Sequence, residues 1–170
     1  MKKMMLCLLA MSLLCGCQKT VTDTPEPDTN NVVENENQES QTKLADKYLE
    51  AFKEIVENSE AELSTELIAN KLVEKNLVEA SLVADMVEEG PLSGFTADIT
   101  GFSSAYRVGP MISTIPFVAY VFETENTESL INLLNENHDL RWNICTEAED
   151  YAVTSVDNYV FVIMCSDSQA

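Results

Sequence analysis

The sequence predicts an α+β domain in which N-terminal helices and one later helix pack on a mostly antiparallel sheet that ends in a β-hairpin. Three observations carry this. Leu44, Tyr48, Ala51, Phe52 and Ile55 recur at helical spacing, with Lys47, Glu50, Lys53, Glu54 and Glu57 turned away. Phe117-Val118-Ala119-Tyr120-Val121-Phe122 is an unbroken β-prone apolar run that follows a proline, the pattern of a buried central strand. Asp157-Asn158 separates two further apolar runs, and its residue types tolerate the positive φ of a two-residue hairpin turn.

Taken in order, the first helix begins at Leu44 and stops near Asn58-Ser59. Ser64 stands as a cap before Glu66, Leu67, Ile68, Leu72 and Val73, so a second helix is expected to about Asn76. Between Leu77 and Glu88, Val78, Ala80, Leu82, Ala84 and Met86 alternate, which favours a strand over the helix that Leu77, Ala80, Ala84 and Val87 also fit. Gly90-Pro91 and Ser93-Gly94 are breakers, Ser104 to Val108 reads as extended, and Gly109-Pro110 opens a loop that closes at Pro116. After the central strand, Asn126 or Thr127 caps a helix carrying Leu130, Ile131, Leu133 and Leu134, which ends at Asn135 to Asn137. Leu140, Trp142 and Ile144 then alternate as in a half-buried strand, before the hairpin of Tyr151 to Val156 and Tyr159 to Cys165. The helices are expected on one face of the sheet.

The start of the chain has a different character. Lys2 and Lys3 precede an apolar run, Met4 to Leu14, too short for a membrane span, which needs roughly 18 residues or more. Leu14-Cys15-Gly16-Cys17 follows it and resembles the lipobox of bacterial lipoproteins. The resemblance implies that residues 1–16 are a removed signal peptide and that Cys17 is lipidated, anchoring the protein on the extracytoplasmic side of a cell membrane. Residues 18–42 are rich in Glu, Asn, Thr and Pro and nearly free of large apolar side chains, so 17–42 is expected to be the lipidated Cys and an acidic tether spanning roughly 25–30 Å. Residues 43–170 then form a single domain of ordinary size.

Charge narrows the function. The chain carries 10 Lys plus Arg against 29 Asp plus Glu, a net charge of -19. Without Lys2 and Lys3 it is near -21. Such a chain repels nucleic acid, whose binding rests on phosphate neutralisation, and it does not adhere to anionic headgroups by charge. Attachment falls to the lipid at Cys17.

The residues form no recognisable catalytic constellation, and no cofactor or metal is expected. His138 is the only histidine and lies at a helix end, where it reads as a dipole-stabilised surface residue rather than a base for Cys145. Glu123, Glu125 and Glu128, or Glu147, Glu149 and Asp150, are acidic groups without EF-hand spacing. Cys145 and Cys165 are a candidate disulfide. With the turn at Asp157-Asn158, Asp150 pairs with Cys165, and Cys145 reaches its partner only if the chain folds back to bring the Cα atoms within roughly 7 Å. Two buried thiols is the equal alternative. Met111, Ile112 and Ile115 lie in a loop that is apolar where loops are normally polar. That loop is either tucked over the core or an exposed contact for a ligand or partner protein.

Gly94-Phe95, the stretch from Gly109-Pro110 through Glu123, Arg141 to Glu149 and Tyr159 to Met164 together resemble a group of small lipoproteins of Gram-positive anaerobic bacteria. The group has no established activity to transfer, and it implies only a domain outside the cytoplasmic membrane. The expectation is therefore a non-catalytic binding or accessory module of the cell envelope, with an unidentified envelope protein or small ligand as partner. A small envelope enzyme and a purely structural subunit of a membrane complex are the alternatives.

Overall fold

The computed structural model describes residues 42–60, 62–112 and 115–167. The expectations for residues 1–16, for Cys17 and for the tether up to Gln41 lie outside them. Helices α1 (Leu44–Glu57) and α2 (Thr65–Glu74) come first. They are followed by β1 (Leu82–Met86), β2 (Gly90–Pro91), β3 (Asp98–Ile99), β4 (Ser104–Pro110), β5 (Val118–Glu123), α3 (Thr127–Asn137), β6 (Asp150–Val156) and β7 (Tyr159–Cys165). The fold is α+β. Five strands form one antiparallel sheet in the order β1-β4-β5-β7-β6, with β5 at its centre as its apolar run demands. Strands β2 and β3 pair separately.

Local chemistry explains the element ends. Ser64 Oγ accepts from Leu67 N and Asn126 Oδ1 accepts from Ser129 N, so both caps stand where the residue types place them. The hairpin turns at Asp157, with φ 52°, and Val156 pairs with Tyr159 and Asp150 with Cys165. Helix α1 has no side-chain cap of its own at Lys43. Its first turn is closed from the far end of the chain, where Asp167 Oδ1 accepts from Leu44 N at 2.8 Å. Asp167→Ala should therefore cost about 1 kcal/mol, read as a lower denaturant midpoint with an unchanged slope, although the residue is 123 positions away in sequence.

Because side chains alternate along a strand, β5 and β7 feed two cores. Ala119, Val121, Phe161, Ile163 and Cys165 face α1 and α2, where Phe52 stacks on Phe161 at 5.2 Å and Tyr48 packs on Phe117 at 5.3 Å. Val118, Tyr120, Phe122, Val160, Val162 and Met164 face the other way and meet Leu130 and Leu134 of α3 with Ile99 and Ala148. The helices thus cover both faces of the sheet, which corrects the expectation of one covered face. Central strands that are apolar on both sides require it.

Three element expectations also change. The strand expected over Leu77 to Glu88 starts only at Leu82, because Asn76 takes φ 48° and Ala80 N bonds to Val78 O, turning the chain first. Strand β4 continues through Gly109 and Pro110, which pair with Val83 and Leu82, so the loop begins two residues later, at Met111. The strand expected at Leu140 to Ile144 is absent. Arg141 N bonds to Asp139 Oδ1 and Cys145 N to Asn143 Oδ1, and these side-chain turns curl the segment so that Leu140 and Trp142 fold under while Ile144 is 100 % exposed.

Candidate functional site

The sheet register defines two ends. At one end lie Leu82 and Pro110, Val118 and Met164, and Asp150 and Cys165, each paired across neighbouring strands. The start of α1 is fixed to this end by Leu44 N bonding to Asp167 and by Lys43 Nζ paired with Asp150 at 2.5 Å. That ion pair raises the Lys43 pKa above its ordinary value, through the hydrogen bond and charge of Asp150. The excursion 140–149 leaves and returns there too, through Ala148 N to Leu140 O and Glu149 N to Cys165 O. Met86, Glu123 and the Asp157-Asn158 turn mark the opposite end.

The β4–β5 loop sits at the first end and its two feet are pinned. Arg107 lies over Gly109, where an added Cβ would approach its guanidinium Nη2 to 2.6 Å; that group also faces Pro110 O at 3.4 Å and Asp85 at 3.5 Å. On the other side Ile115 packs partly into the α1/α2 core, Pro116 is buried, and Phe117 is 2 % exposed. Between these feet Met111 is 74 % exposed and Ile112 72 %. Of the three apolar residues of this loop, Ile115 thus packs on the core, while Met111 and Ile112 stand exposed. Holding the feet rigidly lowers the ordering cost of any contact the tip makes.

Cys145 and Cys165 are not brought together. Both are free thiols, Cys145 exposed and Cys165 buried, so neither the disulfide nor the alternative of two buried thiols is what this structure holds. The reason is the sheet itself: Cys165 faces the α1/α2 core, whereas Leu140, Trp142 and Ala148 around Cys145 pack on the α3 side. Burial, reinforced by the charges of Asp150 and Asp167, pushes the Cys165 thiol up to about 12 from 9.0. Of these two thiols, a thiol-specific alkylating reagent at neutral pH should label Cys145 only, and Cys165 should react only in denaturant, as peptide mass mapping would show.

Burial likewise raises the Tyr120 and Tyr151 phenols to about 12 from 10.0. The native state therefore keeps protons that the unfolded chain loses, and stability should fall as pH rises from about 9 toward 12. A melting-midpoint series across that range reads it directly.

Several of the other candidates are engaged within the fold. His138 is exposed at the end of α3, stacks on Tyr151 at 4.1 Å and contacts Asn135 O through Nδ1 at 2.9 Å. Glu147 pairs with Arg141, Ser166 donates to Glu149, and Asn158 donates to Glu123. Among the described residues no three His, Cys, Asp or Glu side chains converge as metal ligands.

The structure adds surfaces that periodicity in the sequence does not announce. A groove of about 430 Å³ between α1 and α2 is lined by Glu54, Ile55, Asn58, Lys71, Glu74 and Lys75, with Lys75 and Glu54 paired at 2.7 Å. A shallower cavity of about 350 Å³ borders Ile144 and Cys145. Among the described residues no helix is long and apolar enough to cross a membrane. No protein-family model, no curated protein and no solved structure matches this chain.

Proposed function

We propose that this protein is a membrane-anchored extracytoplasmic lipoprotein, held by lipid at Cys17, that works without catalysis as a binding module of the cell envelope through its β4–β5 loop. The observation that carries the reading is the pair Met111 and Ile112, more than 70 % exposed on a loop whose flanking residues are fixed. Large apolar side chains presented in this way mark contact surfaces. The leader, Cys17 and the acidic residues that follow supply the address, and the mass of the amino-terminal peptide tests it: acylated Cys17 supports anchoring, an unmodified Cys17 refutes it.

The contact itself has an internal control. Met86 is 69 % exposed at the opposite end of the sheet, close to the 74 % of Met111. Mild peroxide footprinting of intact membranes should oxidise Met86 several-fold faster than Met111 if the loop is engaged. Equal rates would exclude the loop as the contact surface. The double variant Met111→Ser, Ile112→Ser should leave the melting midpoint nearly unchanged, since exposed substitutions stay within about 0.5 kcal/mol, while abolishing the association.

A further inference from the structure

We infer that the end of the sheet carrying Met111, Ile112 and Ile144 faces the protein's own membrane and seats these side chains in the interfacial layer of the bilayer. This rests on the anchoring proposed above and names what the loop meets. Four large apolar side chains stand exposed among the described residues, and three of them, Met111, Ile112 and Ile144, belong to this end. It is also the end at which the described chain begins. Thr42 and Lys43 lead into α1 beside Asp150 and Asp167, so the chain from Cys17 to Gln41 joins the domain here.

The roughly 25 residues between Cys17 and Thr42 reach at most about 3.6 Å each, so whatever their conformation the domain stays within about 90 Å of its lipid. A second contact with the bilayer is then intramolecular, at an effective concentration in the millimolar range, so a few partly inserted side chains suffice to orient the domain. The acidic charge of the chain argues against adhesion by charge, so the contact is made by the apolar side chains, at an end where two carboxylates are held in ion pairs and two more accept hydrogen bonds. Asp150 pairs with Lys43, Glu147 with Arg141, Asp167 accepts from Leu44 N, and Glu149 accepts from Ser166. The opposite end, with the groove of about 480 Å³ lined by Phe102, Glu123, Asn126 and Asn158, then points away from the membrane.

Cys145, exposed and adjacent to Ile144, is a native attachment point for a probe. The full lipidated chain, labelled there with an environment-sensitive fluorophore, is reconstituted in phosphatidylcholine vesicles containing nitroxide-labelled lipid. Quenching at Cys145 should exceed by at least about threefold that of the same label at Glu125→Cys in a Cys145→Ser background, since Glu125 is exposed at the far end. It should fall to the Glu125 level in Met111→Ser, Ile112→Ser. Trp142, the only tryptophan, gives a label-free repeat with brominated lipid. Equal or absent quenching at Cys145 in vesicles whose protein is shown by mass to be acylated at Cys17 overturns the proposal. Should Met111 nevertheless be protected in intact membranes, the loop's contact is a protein and the lipid assignment fails while the binding-module reading stands. An unacylated Cys17 is a failure of the anchoring reading, and the peptide mass separates the two.

Discussion

Phe161→Ala is expected to remove about 3–5 kcal/mol of unfolding free energy and to lower the melting midpoint by roughly 10–20 °C. Phe161 lies in β7, fully buried, between Val121 of β5 and Thr154 of β6 in the ladder. Its ring stacks on Phe52 of α1 with 17° between the planes. Truncation removes the contact that couples the first helix to β7 and leaves a cavity that rigid strands on either side cannot close. The loss therefore combines the transfer term with the cavity term. Chemical denaturation with the linear slope held constant measures it. A loss below about 1 kcal/mol would mean that α1 is not docked on this face.

Gly94→Ala is the second large effect, at about 2–4 kcal/mol. Gly94 has φ +93°, outside the range L side chains adopt readily, and a Cβ there would collide with Met164 Cε and approach Val118 Cγ1 to 3.5 Å. Met164 is fully buried in the core on the α3 side, so its methyl must shift among packed neighbours to make room. Gly94 O also accepts from Asp139 N, which ties the strap before β3 to the end of α3. Gly101→Ala is the matched control: its φ is +85°, but nothing lies within 4 Å of an added Cβ. It should lose only the backbone part, about 1 kcal/mol. The difference between the two midpoints isolates the close packing of the strap on β5 and β7, and equal losses would remove that packing from the account.

Much of the candidate site is legible in the residues themselves. The loop Met111 to Ile115 stands out because apolar residues lie between two prolines, where polar residues are expected. The division of labour inside it is not legible, since apolar residues so close together carry the same pattern whether they plug a core or point outward. The Cys145–Cys165 pairing is undecidable from sequence for a similar reason. Register places Asp150 opposite Cys165, but which face of β7 the Cys165 side chain takes relative to the returning segment depends on what each face is packed against.

What the residues alone determined about this protein is local: the α1 stripe, the Ser64 and Asn126 caps, the β5 run and the hairpin with Val156 opposite Tyr159. Each follows from contacts within a few positions, set by dihedral preference, spacing and capping. Only the tertiary structure decided that α3 covers the face opposite α1 and α2, that Asp167 closes the first turn of α1, and that the segment 140–145 curls instead of pairing. An amphipathic stripe states that a helix has a side to bury but not which face of a sheet receives it. That choice is made by the sum of long-range packing, in which every face must be covered once and every orphan backbone group must find a partner.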